Sequence, residues 1–262
     1  MVSLKNEEWM NSHTHDQLVE YCLRLGDDLL VLGHRLSEWC GHGPILEEDI
    51  ALSNIALDCV GQANNLLALA AEIKGGTTAD ELAYFREAVE YRNCLLVEQP
   101  NGDFAETMIR QFFFDAYSHL LFNRLKFSTH LTLAGIAQKA VKETEYHLRH
   151  SSQWILRLGD GTEESHLRTQ RAADNLWRFT SELFQSDETE SLLAEAGVCV
   201  KSDTLKSEWL RIVTDVLTRA TLSVPSESVP TLSGRKGRHT EHLGHMLAEM
   251  QILARSFPGA TW

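Results

Sequence analysis

The chain has 262 residues, 43 % of them hydrophobic and 23 % charged, which fits an ordinary folded protein with room for a sizeable core. Its net charge of −13 and the lack of any basic block beyond Arg235-Lys236-x-Arg238 argue against a nucleic-acid binder, which needs a cationic stripe for phosphates. Five cysteines at 22, 40, 59, 94 and 199 include no Cys-x-x-Cys pair and suit reduced thiols, so a cytoplasmic location is expected. No apolar run reaches the ~20 residues that span a bilayer, and MVSLKNEEWMNSHTHD at the start has no apolar signal region.

Taken in chain order, six long segments carry apolar residues at helical spacing: roughly 16–40, 47–74, 103–127, 131–158, 163–185 and 240–257. Another helix is expected near 203–222, with shorter ones near 78–92 and 187–196. All five prolines (44, 100, 225, 230, 258) fall between these segments, where the missing N–H does least harm. Thr78-x-x-Glu81 has capping-box spacing, and Asp103-x-x-Glu106 is a close variant. Gly75-Gly76 and Gly159 stand where helix stops are expected. The link Ser128-Thr129-His130 is too short for anything but an antiparallel neighbour, whereas about 28 residues, Gly75 to Gly102, separate the second and third segments. Two helix pairs joined by one long crossover is ferritin-like connectivity. The fold class is therefore all-α: a ferritin-like four-helix bundle with additional C-terminal helices. Helices 163–222 read as packing on the bundle, and 223–239 as the longest loop.

Two altered metal-ligand motifs sit in the second and fourth segments. Carboxylate-bridged di-iron bundles place Glu-x-x-His on each of two helices, both side chains facing inward. Here the Glu positions hold Cys59 and Thr144, and the His positions hold Gln62 and His147, each pair separated by 85 residues. Thiol, hydroxyl and amide groups do not replace bridging carboxylates. Asp58 and Glu143 lie one residue off, about 100° around the helix. The plain alternative is that all four are ordinary buried polar residues; their matched placement favours a lost metal site.

Other clusters carry weaker chemistry. A mononuclear metal site from His147, Asp115 and His119 is one alternative, and His147-x-x-His150 another pair to consider. His239, His242, His245 and Glu249 are spaced at three and four but are not His-Glu-x-x-His. Phe112-Phe113-Phe114 covers most of a helix circumference, so one ring must be covered by later helices or by another subunit. No phosphate-binding glycine loop is present, so a nucleotide or flavin site is unsupported.

The strings LRLGDDLLVLGHRLSEWCGHGP (23–44), NIALDCVGQANNLL (54–67), LLVEQPNGDFAETMIRQFFFDA (95–116), KAVKETEYHLRHSSQWILRLGDGT (139–162), LWRFTSELF (176–184) and GRKGRHTEHLGHMLAEMQ (234–251) resemble the phenylacetyl-CoA monooxygenase (ring 1,2-epoxidase) A/C family, in particular its C-type, non-catalytic structural subunits. The resemblance implies residues 1–16 as an N-terminal extension and 17–262 as one ferritin-like domain, with a core bundle to about 160 and packed C-terminal helices beyond. It implies no catalytic residue and no metal in this chain, with Cys59, Gln62, Thr144 and His147 as degenerate ligand positions. The implied partner is an A-type subunit that holds the di-iron site, served by an NADPH-dependent reductase with FAD and an iron–sulfur centre. The loop at Gln99, Asn101 and Asp103 and the string holding Lys236, His239, Glu241 and His242 read as exposed and suited to partner contact. A homodimer is expected in isolation. An acyl-CoA-recognising interaction module is the remaining alternative.

Overall fold

The computed structural model describes residues 12–226 and 233–260. Its ten α-helices among these residues are α1 (Ser12–Ser37), α2 (Leu46–Lys74), α3 (Ala79–Tyr84), α4 (Leu95–Glu98), α5 (Phe104–Leu125), α6 (Leu131–Gly159), α7 (Glu163–Thr180), α8 (Glu188–Glu195), α9 (Lys206–Arg219) and α10 (Glu241–Ser256). No strand occurs among the described residues, and none of their helices is long and apolar enough to cross a membrane. Most of the expected extension at 1–16 lies outside the described residues.

Helix α1 forms because Leu18, Cys22, Leu25, Leu29, Leu32 and Leu36 recur every three or four residues and are all buried. It turns through Gly41–Pro44 into α2, whose first turn carries Glu47, Glu48 and Asp49 against the positive end of the helix dipole. These two helices pack along each other, as do α5 and α6, giving the all-α, ferritin-like bundle expected from the connectivity. The crossover holds α3, started by the reciprocal Thr78–Glu81 cap, and the single turn α4, which has no helical signature of its own. Asp103 caps α5 by accepting the Glu106 N–H at 3.0 Å.

Gly159 is needed for a different reason than a helix stop. It is the last residue of α6, and a Cβ there would lie 2.3 Å from the Ala220 carbonyl oxygen. Only glycine lets the end of α9 approach so closely.

The later helices lie on the bundle: α7 and α9 on α5 and α6, α8 on α1. They answer the question raised by the three phenylalanines. Phe113 meets Trp177 of α7 and Trp209 of α9 at ring-centroid distances of 5.5 and 5.9 Å, and the Trp209 indole donates to the Phe113 carbonyl at 2.9 Å. All three rings are buried within the chain, so this run is not an interface.

The string from Gly234 to Gly244, expected to be exposed, is in part an internal strap: Lys236, Arg238 and Glu241 stay exposed, but residues between them are anchored inward. Arg235 inserts between α1 and the crossover, donating to both Asp28 oxygens (2.9 and 2.6 Å) and to the Arg92 carbonyl at 2.8 Å. Ser233 Oγ donates to Glu182 at 2.9 Å. His239 pairs with fully buried Glu98 at 2.7 Å, and Thr240 donates its N–H and hydroxyl to the other Glu98 oxygen. Gly234 is squeezed against the Asn93 carbonyl, 2.0 Å from where a Cβ would stand.

The loop at 99–103 is likewise anchored inward. The Gln99 amide donates to the Leu95 carbonyl, Arg110 donates to the Gln99 carbonyl and to Asn101 Oδ1 (2.6 Å each), and Asn101 donates to the Arg35 carbonyl. Asp103, besides capping α5, pairs with Arg168 at 3.2 Å. Gln99 and His239 are therefore not exposed contact residues, because buried acceptors and a buried carboxylate hold them. Lys236 and Glu241 stay on the surface, and His242 is half-buried.

Arg235→Ala leaves Asp28 buried without its cation. The expected loss is about 3–5 kcal/mol, read as a fall of roughly 10 °C in the thermal midpoint. An unchanged melting curve contradicts the strap's structural role.

Candidate functional site

The four degenerate positions meet on facing sides of α2 and α6. Cys59, Gln62, Thr144 and His147 are all buried. Cys59 is pushed well above the usual thiol range by burial and then by the negative charges of Asp115, Asp58 and Glu143, so it stays a neutral thiol. Thr144 turns its hydroxyl back onto its own helix, donating to the Ala140 carbonyl at 3.0 Å, with His119 Nδ1 3.5 Å away.

The flanking acids do not point into the bundle centre, as their helical offset requires. They lie in the α2–α6 seam and occupy the remaining polar groups. Gln62 Nε2 donates to Glu143 at 2.7 Å, and His147 Nε2 lies 3.0 Å from Asp58. One turn further along α6, and nearer the start of α2, His150 Nε2 lies 2.8 Å from Glu48. The result is a ladder of three polar pairs along one seam, each pair spanning the two helices that carry the motifs. A change of Gln62 to Glu is consequently not conservative here, since it sets one carboxylate against another.

Sequence reading gave Asp115 only as a metal-ligand alternative and missed its actual setting. Its two oxygens accept from Gln111 Nε2 (2.6 Å) and Ser151 Oγ (2.7 Å). The signal was present as spacing: Gln111 stands one turn before Asp115 on α5, and Ser151 one turn after His147 on α6. Burial raises the Asp115 carboxyl to about 6, with His147, Ser151 and Gln111 partly opposing that rise.

These residues do not fit a di-iron group. On α1, Asp27 is paired with Arg86 and Asp28 with Arg235, so both acids are already neutralised. On α5 the single buried acid is Asp115, held by an amide and a hydroxyl. Gln62 Oε1, Gln111 Oε1 and His150 Nδ1 are buried without a hydrogen-bond partner, but two amide oxygens and an imidazole nitrogen supply no bridging carboxylate. Nor is the mononuclear alternative assembled: His119 turns toward Asn123 and Thr144, away from the Asp115–Ser151 pair. Among the described residues no group of three or more His, Cys, Asp or Glu is placed to hold a metal ion, and this includes His239, His242, His245 and Glu249.

Asp115 gives a pH signature of known sign. Its folded value, about 6, lies above the ordinary 3.8, so the folded state holds this proton more tightly than the unfolded chain. That contribution is fully present below pH 4 and lost as pH rises through 6. Asp115→Asn removes the loss. Its stability relative to the parent should rise between pH 4 and pH 7 by about 2–3 kcal/mol, measured by urea unfolding across that range. A pH-independent difference is the contrary outcome.

A family model described as "Phenylacetic acid catabolic protein" matches residues 1–262. The chain is also 52 % identical, over 247 residues, to the 1,2-phenylacetyl-CoA epoxidase C-subunit of Escherichia coli (strain K12). That alignment covers 94 % of this chain and 100 % of the relative. With a match along the whole length and a ferritin-like bundle in common with the expected architecture, the chain belongs to the phenylacetic acid catabolic protein family.

Proposed function

We propose that this chain is a structural, non-catalytic subunit of a multicomponent phenylacetyl-CoA 1,2-epoxidase of aerobic phenylacetate degradation. In this reading it braces an A-type subunit that carries the di-iron site, and a reductase with FAD and an iron–sulfur centre supplies electrons from NADPH. The complex works in the cytoplasm. The observation that carries the reading is the α2–α6 seam: neither Glu position of the motifs holds a carboxylate, only one His position keeps its imidazole, and the surrounding acids are spent on Gln62, His147, His150, Arg86 and Arg235. The 52 % identity to a protein named as an epoxidase subunit supports the assignment to such a complex.

The physical logic is one of support. A catalytic bundle must hold its metal ligands within about 0.5 Å of their working positions. A rigid second bundle packed alongside restricts their motion. This chain's interior favours rigidity, because its buried polar groups are met by fixed partners on other elements: Asp27 of α1 by Arg86 of the crossover, Asp28 of α1 by Arg235 of the strap, and His147 of α6 by Asp58 of α2.

Direct recognition of acyl-CoA is a poorer reading. A groove of about 940 Å³ between α1, α3 and the end of α10 is lined by Asp80 and Glu81 together with Tyr84, Phe85, Leu253 and Phe257. No lysine or arginine among the described residues lines it, so a coenzyme A phosphate there would meet carboxylates.

Cys59→Ala tests the proposal in the assembled complex. It should cost about 1–3 kcal/mol in the stability of this chain and leave turnover per assembled complex within about twofold. Metal analysis of the same preparations should assign the iron to the A-type subunit. Loss of turnover with assembly intact, or stoichiometric iron in this chain alone, counts against a structural role.

A further inference from the structure

Among the described residues, one face of the bundle has no covering element. Helix α5 lies beneath α7 and α9, and α1 beneath α4 and α8, whereas the main packing neighbours of α2 are α1, α3 and α6. Yet α2 is apolar around most of its circumference. Its inner face buries Leu52, Ile55, Cys59, Leu66 and Leu67. Its outer face runs Leu46, Ile50, Asn54, Leu57, Gly61, Asn64 and Ala68, in steps of four and three, and carries no charge. Leu46, Ile50 and Leu57 are 72, 53 and 69 % exposed. Large apolar side chains left exposed in a row along one helix face mark a surface that is covered in the working state. A Cβ at Gly61, or at Gly135 on α6, would meet nothing within 4 Å, which leaves room for a second backbone to approach.

The neighbouring strip on α6 says what kind of partner fits. It exposes Tyr146 beside Lys139, Lys142 and Arg149, with Glu143 3.8 Å from Lys139 and Glu145 exposed on the same helix. This is a cationic edge on a chain whose net charge is −13. A second copy of the chain would bring −13 against −13 and gains little from that edge over its general repulsion. An apolar helix face edged by carboxylates is matched on both counts.

We propose that the α2–α6 face is the seat of the catalytic partner, which lays an apolar helix stripe flanked by acidic residues over Leu46, Ile50 and Leu57 and against Lys139, Lys142 and Arg149. This rests on the reading that the chain is a subunit bound to an A-type partner.

The test is binding of the full chain to the A-type subunit, by co-purification and by titration at low and high salt. Ile50→Arg with Leu57→Arg should weaken binding at least 100-fold. Lys142→Glu with Arg149→Glu should weaken it at low salt and much less at high salt. Both pairs change exposed side chains, so the thermal midpoint of the isolated chain should move by only a few degrees; the second pair stands as an independent reading if the first fails to fold. Leu253→Arg with Phe257→Arg, on the opposite apolar patch of α10, should bind normally. The proposal is overturned if both α2 and α6 pairs bind as the parent does, or if only the α10 pair loses binding. It is equally overturned if the α2 pair merely splits a homodimer and keeps its A-type partner. A parent chain with no affinity for the A-type subunit sinks the subunit reading itself, and is told apart because no variant is then needed.

Discussion

A carboxylate withdrawn from water inside a helical bundle must be met by a cation or by hydrogen-bond donors, because its desolvation otherwise costs several kcal/mol. In a metal-bearing bundle the iron atoms provide that charge. Here the protein provides it. Arg86 meets Asp27, Arg235 meets Asp28, His239 meets Glu98, and Gln111 with Ser151 meet Asp115. Each of these pairs joins distant parts of the chain, apart from Gln111 and Asp115 on one helix. The same contacts that neutralise the interior therefore also fix the crossover, the C-terminal strap and α10 against the bundle.

This economy explains why the seam between α2 and α6 is polar without being a site of chemistry. The motif positions keep the spacing of ligands but not their donor atoms. The acids that remain nearby are rotated into the seam, where each finds a partner on the opposite helix. Asp58 and Glu143 hold His147 and Gln62 in place, and Glu48 does the same for His150. Three cross-helix pairs set the register of α2 against α6. The outer face of α2 beside them presents Leu46, Ile50 and Leu57 with only the neutral Asn54 and Asn64 between and beyond them, which is a form a docking face takes.

Helix positions and pairing were legible along the chain because they depend on local signals. Apolar spacing, proline placement, the Thr78 and Asp103 caps and the three-residue link before α6 each act over a few residues. The single turn α4 was not legible: four residues are too few to show a period, and it is held by Glu182 accepting the Leu95 N–H from across the fold. The strap was misread for a related reason. A Gly-Arg-Lys-Gly-Arg-His run looks solvated by composition, and only the position of Asp28, 207 residues earlier, turns Arg235 inward.

By itself, then, the sequence determined the helical bundle, its connectivity and the loss of carboxylates at the two motif positions, since residue type and spacing act locally. Tertiary structure alone decided where the remaining charges go, because pairing between residues scores or hundreds of positions apart depends on the packing of whole helices. The same packing decided which apolar residues stay uncovered. Phe113 on α5 is enclosed by Trp177 of α7 and Trp209 of α9, while Leu46, Ile50 and Leu57 on α2 face outward because no later helix among the described residues folds back over them.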